Sequence, residues 1–384
     1  MSIRNILITG VRAPAALFLI RKLHGYGYGI VTAESIGCHV SRFSSCVSAN
    51  YRVTAPNTDP DGFVDDLAEI AAKERIDLII PTCEEIFYVA RGKKRLEGIC
   101  RVFCDTREKL MELHNKWSFY EKFRNRGYGV LMPQSRYAEN LSDLTQIINE
   151  GPSRKKYVIK PVYSRFAARV MITDRVPDGL DDGRYIVQDF VEGTQYCSYS
   201  VIRDGHVLLH GDYRTDFTAG RGATIAFEYS AHPQIRKFVE DFAAKEDFEG
   251  QIAFDFIQGS DGLYLIECNP RLTSGIQLFD KDTDISVIFE DAPFTGTLYP
   301  ERMYRTALIP AMLMFVFYNV HTRADLKKWI KTVMTSRDVI FDLRDPLPFI
   351  MQIPVMLMLI AGAVKHGVGI KEISTYDMEC NGDE

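Results

Sequence analysis

Apolar residues at the start of the chain come in short runs separated by helical text. Ile6, Leu7 and Ile8 form one run, which stops at Thr9-Gly10. Residues 15–24 then read as a helix, and residues 29–33 return to a strand-like run. The cycle repeats with helical text over 63–73, a strand over 77–80 that meets Pro81, and another strand over 101–104. Such alternation predicts an α/β region, a parallel sheet with helices on both faces. Sheets of that kind take ligands beyond the carboxyl ends of their strands. Here those ends carry Arg12, Glu34, Glu84 and Glu85.

Further on the pattern changes to α+β. Residues 107–125 and 141–150 read as helices, with a break at Met132-Pro133 between them. From Tyr157 the apolar positions alternate, predicting strands over 157–160, 169–172, 185–190 and 196–202. Asp204-Gly205 marks a hairpin turn into 207–210. A helix over 233–246 is followed by strands over 252–257 and 263–267, and from about residue 303 the text is helical and apolar. These shifts divide the chain into 1–110, 111–187, 188–302 and 303–384, with no internal repeat.

The stretch 346–364 carries no charged residue. Its length is close to the ~20 residues that cross a bilayer. Pro346, Pro348, Pro354, Gly362 and Gln352 interrupt it, and no strong charge asymmetry flanks it. A buried or interface helix is therefore expected. Peripheral membrane contact, or a lid over a hydrophobic substrate, is the alternative. Residues 307–318 are expected in the core, and the same apolar helices suit a homodimer interface.

Composition narrows the class. With 46% hydrophobic and 25% charged residues in 384, the chain is an ordinary globular one of two or three domains. The net charge is −5 and no basic run tracks a phosphate backbone, so nucleic acid is not an expected partner. Eight scattered cysteines without C-x₂-C spacing argue for reduced thiols rather than a zinc site. Met1 leads into a strand without the basic and apolar regions of a signal peptide, and a cytoplasmic protein is expected.

Three stretches carry chemistry. In the hairpin over 252–271, Asp255 lies on one strand and Glu267 and Asn269 on the next. Glu267 and Asn269 share a face because they are two residues apart. With Asp255 in register, three oxygen ligands converge, as Mg²⁺ or Mn²⁺ requires. Arg271, two residues further, reaches the same face and can pair with a phosphate or carboxylate. A solvated hairpin shows the same alternation. Lys160 ends an apolar strand, where a lysine can hold an anion, and Ser164 opens a loop of small residues whose amides can cradle phosphates. The strand 185–191 breaks at Glu192-Gly193, where main-chain groups can meet an adenine edge.

In this order the three stretches resemble the ATP-grasp superfamily, in its carbamoyl-phosphate-synthase-like, carboxylate–amine ligase branch. The likeness runs to about residue 300. It implies a Rossmann-like N-terminal domain, two α+β subdomains holding ATP between them, and a helical C-terminal region. It makes Lys116 and Lys160 the ATP lysines, Gln188, Asp189, Phe190 and Val191 the adenine hinge, and Gln195 the ribose partner. It makes Asp255, Glu267 and Asn269 the metal ligands, with Arg271 and Lys160 acting on the reacting groups. The implied reaction activates a substrate carboxylate as an acylphosphate, which an amine, or less often a thiol, then displaces. Two departures stand out. The phosphate loop reads Arg165-Phe-Ala-Ala168 where glycine is usual, and Gln188 and Gln195 replace common glutamates, which implies weaker nucleotide binding.

Small-molecule substrates would meet Arg12, Glu84 and Glu85 at the first sheet, and Arg214 and Arg221 on a closing loop. Glu84 or Glu85 suits a substrate amine, although solvated loop charges fit the same text. Two other classes compete. Thr9-Gly10 followed by Glu34 has the spacing of an NAD-binding oxidoreductase, but the loop lacks the second and third glycines. A non-catalytic ATP-binding regulatory protein is the other, and the intact Asp255, Glu267, Asn269 set argues against it.

Overall fold

Five parallel strands open the computed structural model, which describes residues 3–382 except 153, 164–169, 221–222, 281, 291–293, 295 and 303. They are β1 (Asn5–Thr9), β2 (Gly29–Glu34), β3 (Ala49–Arg52), β4 (Leu78–Pro81) and β5 (Arg101–Val102), in the order β3-β2-β1-β4-β5. Helices α1 (Pro14–Gly25), α2 (Pro60–Lys73), α3 (Ile86–Arg91) and α4 (Lys93–Leu96) connect them. Both faces of the sheet are buried, which explains the unbroken apolar runs. Ile6, Ile8 and Ile80 pack with Leu17 and Ile20 of α1, while Leu7 and Ile79 pack with Phe63 and Leu67 of α2. Pro14 and Pro60 start their helices where a missing amide does no harm, and Asp59 accepts from Gly62 N at 2.9 Å.

The helix expected over 107–125 is two, α5 (Arg107–His114) and α6 (Lys116–Phe123). Asn115 separates them with an extended backbone and caps the second. The next sheet contains β6 (Ser135–Ala138), β7 (Tyr157–Pro161), β8 (Met171–Thr173) and β9 (Tyr185–Asp189), ordered β6-β9-β7-β8, with α7 (Leu141–Asn149) packed on it. Another sheet, β11-β10-β15-β16, uses β10 (Thr194–Arg203), β11 (His206–Arg214), β15 (Gly250–Gln258) and β16 (Leu263–Asn269). Between them come the ribbon β12 (Thr218–Ala219) and β13 (Ala223–Thr224), the strand β14 (Ala226–Glu228), and α8 (Pro233–Glu246). Phe238 and Phe242 of α8 pack edge-on against Phe254 of β15, in a core continuous with one face of the first sheet.

After residue 303 the chain adds β17 (Arg305–Ala307) and β18 (Arg337–Asp338) to β14. Its helices are α9 (Ile309–Met314), α10 (Val316–Asn319), α11 (Arg323–Thr335), α12 (Leu347–Ile350), α13 (Gln352–His366) and α14 (Ile370–Ile373). Only 11% of the apolar window in Leu347–His366 is buried, which overturns the buried half of the expectation for this stretch and does not bear on the interface half. Residues 307–318 are not all core either, since Phe317 is 89% exposed. Hydropathy reports what a segment can bury against, and it does not say that this chain supplies the partner.

Candidate active site

Asp255 and Glu267 occupy directly opposed positions on β15 and β16, with a register irregularity just after Asp255. Asn269, opposite Ala253, shares their face. Its Nδ2 lies 3.5 Å from Asp255 Oδ2, and its Oδ1 accepts from Arg271 Nη2 at 3.2 Å. Arg271 also approaches Glu84 Oε1 of the first sheet, at 3.9 Å. The hairpin and the end of the parallel sheet therefore meet at Arg271.

Two lysines approach this row. Asn115 Oδ1 accepts from the amides of Trp117 and Ser118, 3.0 Å each, which fixes Lys116 at the start of α6. Lys116 Nζ then stands 3.4 Å from Glu267 Oε1. Lys160, on β7, is 3% exposed. Burial lowers its pKa to about 8, and the Lys116 cation pushes the same way against Glu267 and Asp255. Burial raises Asp255 to about 6 and the neighbouring Glu267 adds to it, while Cys197, Arg271 and Lys160 oppose.

Cys197 was not singled out by sequence. It lies between Tyr213 and Asp255 in the cross-strand row, and burial pushes its thiol well above the usual range. Only the phase of alternation along β10 carries that signal, and it is weak because Tyr196 and Ser198 are equally polar.

The residues present fit a divalent cation. Two carboxylates crowded in a half-buried site, one of them with a raised pKa, favour a positive charge between them. Mg²⁺ is held through one or two carboxylates together with phosphate oxygens and waters. Asn269 joins only after a half-turn of its amide, because its nitrogen faces Asp255. Among the described residues no group of three His, Cys, Asp or Glu side chains is assembled.

The hinge residues are engaged in their own sheet. Gln188 is buried and donates from Nε2 to Ser135 Oγ at 3.1 Å. The Asp189 amide donates to Gln134 O, its carboxylate takes Lys155 at 2.7 Å, and the Phe190 amide donates to Lys156 O. An adenine edge at this turn must be read by other main-chain groups. Val191 lies beside Gly259. Gln195, opposite Ile257, is exposed and in phase with Cys197 on the Asp255 face.

Several expected substrate residues lie elsewhere. Arg12 is buried among Glu34, Ser35, the Ser374 carbonyl and Asp377. It ties the C-terminal segment to the first sheet and is not presented to a ligand. Glu34 is consumed by the same contact, which removes the ribose acid that an NAD-binding reading requires. Glu85 is 1% exposed, and its Oε1 accepts from Thr9 Oγ1 and Thr82 N, each at 2.8 Å. Burial raises its pKa, and it braces the strand ends. Arg214 pairs with Tyr196, which pairs with Phe256, so it lies on the face opposite Asp255. There it bonds Asp216 at 2.5 Å and lines a cavity of about 430 Å³ with Arg305 and Lys328. Ser164 and Arg221 lie outside the described residues.

Two sheets flank this row of acids and lysines, and a parallel sheet precedes them, which is the arrangement of ATP-grasp proteins. Residues 113–275 match the ATP-grasp domain family. Residues 113–275 of this chain are therefore an ATP-grasp domain. Among solved structures it resembles N5-carboxyaminoimidazole synthetase from Staphylococcus aureus, with a TM-score of 0.60 and 11% identity over 82% of this chain and 85% of that one. It also resembles L-amino acid ligase from Bacillus licheniformis, with a TM-score of 0.55 and 13% identity over 77% and 72%. The biotin carboxylase domain of Hydrogenobacter thermophilus 2-oxoglutarate carboxylase, a dimer solved with MgADP and bicarbonate, gives a TM-score of 0.56 and 14% identity over 71% and 65%. An uncharacterized protein of Methanocaldococcus jannaschii is 21% identical over 254 residues, which is 62% of this chain. The chain spans 61% of the length of that curated relative.

Proposed function

We propose that the chain is an ATP- and Mg²⁺-dependent ligase that activates a small-molecule carboxylate as an acylphosphate and couples it to an amine, releasing ADP and phosphate. The observation that carries this reading is the approach of Lys116 and Lys160 to the Asp255–Glu267 pair. It supplies cationic groups for a polyphosphate and acidic groups for its metal at one place. MgADP and bicarbonate bound to the Hydrogenobacter domain support it, as does the ligase of Bacillus licheniformis.

In the first step a carboxylate oxygen bonds to the γ-phosphorus as the bond to ADP breaks. In the second an amine nitrogen bonds to the acyl carbon, phosphate leaves with the shared oxygen, and the amine loses a proton. The barrier is largely mutual repulsion of anions, so positioning and fixed positive charge do most of the catalysis. Lys116 and Lys160 would hold the polyphosphate, and Arg271 would draw the substrate carboxylate toward it. Glu84, beside Arg271, orients that guanidinium. Bound Mg²⁺ would neutralise polyphosphate oxygens. No protein nucleophile is required.

An ADP-release screen over amino acids and carboxylic acids, with hydroxylamine trapping the acylphosphate, tests this. Hydroxamate formation dependent on one acid supports the reading. Tight ATP binding without ADP release under any acid defeats it.

A further inference from the structure

After residue 308 three successive helical units present apolar side chains to solvent. Phe317 on α10 is 89% exposed, Met334 on α11 is 79% exposed, and Val364 on α13 is 79% exposed. On α12 and α13 the exposed residues Ile350, Ile353, Leu357, Ile360 and Val364 follow one another at spacings of three and four, so they form one stripe. The 18-residue apolar window within Leu347–His366 has a mean hydropathy of 2.1 and carries no polar outer face. A water-exposed helix normally carries such a face.

Charge identifies the occupant. Residues 304–366 contain eight Lys and Arg against four Asp and Glu, in a chain whose net charge is −5. Two of the four acids are used internally, as are two of the eight bases, Arg305 with Glu228 and Lys328 with Asp216. Asp345 takes Arg21 at 2.9 Å, and Asp338 accepts the amides of Ile340 and Phe341. A third, Asp325, closes the capping box of α11 with Thr322. On the exposed side of α11, Arg323, Lys327 and Lys331 lie alongside Leu326, Ile330 and Met334. A basic amphipathic helix beside a second apolar one suits a negatively charged lipid surface.

The geometry also says how the chain would sit. Both ends of the apolar stretch return to α1. Asp345 before it holds Arg21 within α1, and Asp377 after it holds Arg12 just ahead of α1. Those anchors are nine residues apart in sequence, seven of them along α1 and two in the extended lead into it, roughly 18 Å at most. A helix crossing the ~30 Å hydrocarbon core would place its ends on opposite sides. We propose that this face docks on an anionic bilayer, with α13 lying in the plane of the interface and not crossing it.

Flotation of the full chain with vesicles tests this. Vesicles of phosphatidylcholine containing phosphatidylglycerol should carry the chain upward, and pure phosphatidylcholine should carry much less. Salt should weaken binding by screening. Lys327→Gln and Lys331→Gln should each lower partitioning about fivefold. Leu357→Ser, at a site 61% exposed, should lower it at all salt concentrations without altering the melting temperature. Failure to float with the anionic vesicles, or equal flotation with both kinds, overturns the proposal. So does a dimer in solution that Leu357→Ser dissociates while vesicle binding stays unchanged.

Discussion

Asp255 and Glu267 face each other across β15 and β16, and Lys116 closes on Glu267 at 3.4 Å. The folded chain holds the Asp255 proton up to about pH 6, against an ordinary 3.8. Between those values the fold retains a proton that the unfolded chain has released. The metal-free fold therefore loses stability from this group as pH rises from 3.8 to about 6. Asp255→Asn should remove that loss, and thermal melts from pH 4 to 7 in chelator would show it. A variant whose stability profile over this interval matches the parent contradicts the placement.

Lys160 provides a second pH signature. Its folded pKa of about 8 lies below the ordinary 10.5, so the unliganded chain loses this positive charge as pH rises through 8. ATP affinity should fall across the same interval, by up to about tenfold per pH unit. Lys160→Arg should flatten the decline, because a guanidinium does not titrate there. Calorimetric titration of ATP at several pH values distinguishes the two curves.

Removing Lys160 or Glu267 should stop turnover and spare the fold. For Lys160→Ala and Glu267→Ala we expect a fall in kcat on the order of a hundredfold or more. Circular dichroism should be unchanged. Near-full activity in either variant would mean that the reacting groups lie elsewhere.

Gly10 is held to its residue type by Glu85. Its φ is +64°, and an added Cβ would stand 2.5 Å or less from all three carboxyl atoms of Glu85. Gly10→Ala should destabilise by about 1–3 kcal/mol, read from the urea midpoint. Gly127 also has a positive φ, with nothing within 4 Å of an added Cβ, and Gly127→Ala should cost less.

Much of this organisation is legible in the sequence. The parallel sheet follows from the apolar runs around Ile6, Val31 and Ile79, because strands buried on both faces leave little room for another reading. The shared face of Glu267 and Asn269 follows from two-residue periodicity, whereas the place of Asp255 beside them depends on the hairpin register. Sequence did not reveal that Arg12 and Glu85 are structural, because a charge at a strand end reads the same whether it faces a ligand or a distant carboxylate. Arg12 finds its partner at Asp377, and pattern says nothing across that separation. Short strands such as β3, β6 and β18 escaped for a related reason. They exist only because neighbours pair with them. The solvent exposure of Phe317 and Val364 is likewise a property of what the chain leaves uncovered.

Arg12 takes Asp377 across 365 positions, and its other acidic partner, Glu34, is buried in the first sheet. During synthesis the leading strands leave the ribosome long before residue 377 does. Throughout that interval Arg12 has Glu34 but lacks the second carboxylate, that of Asp377. The Arg12 contacts of the N-terminal domain are therefore completed only once the C-terminal segment is in place. A tag or truncation that disturbs residue 377 would be felt at the opposite end of the polypeptide.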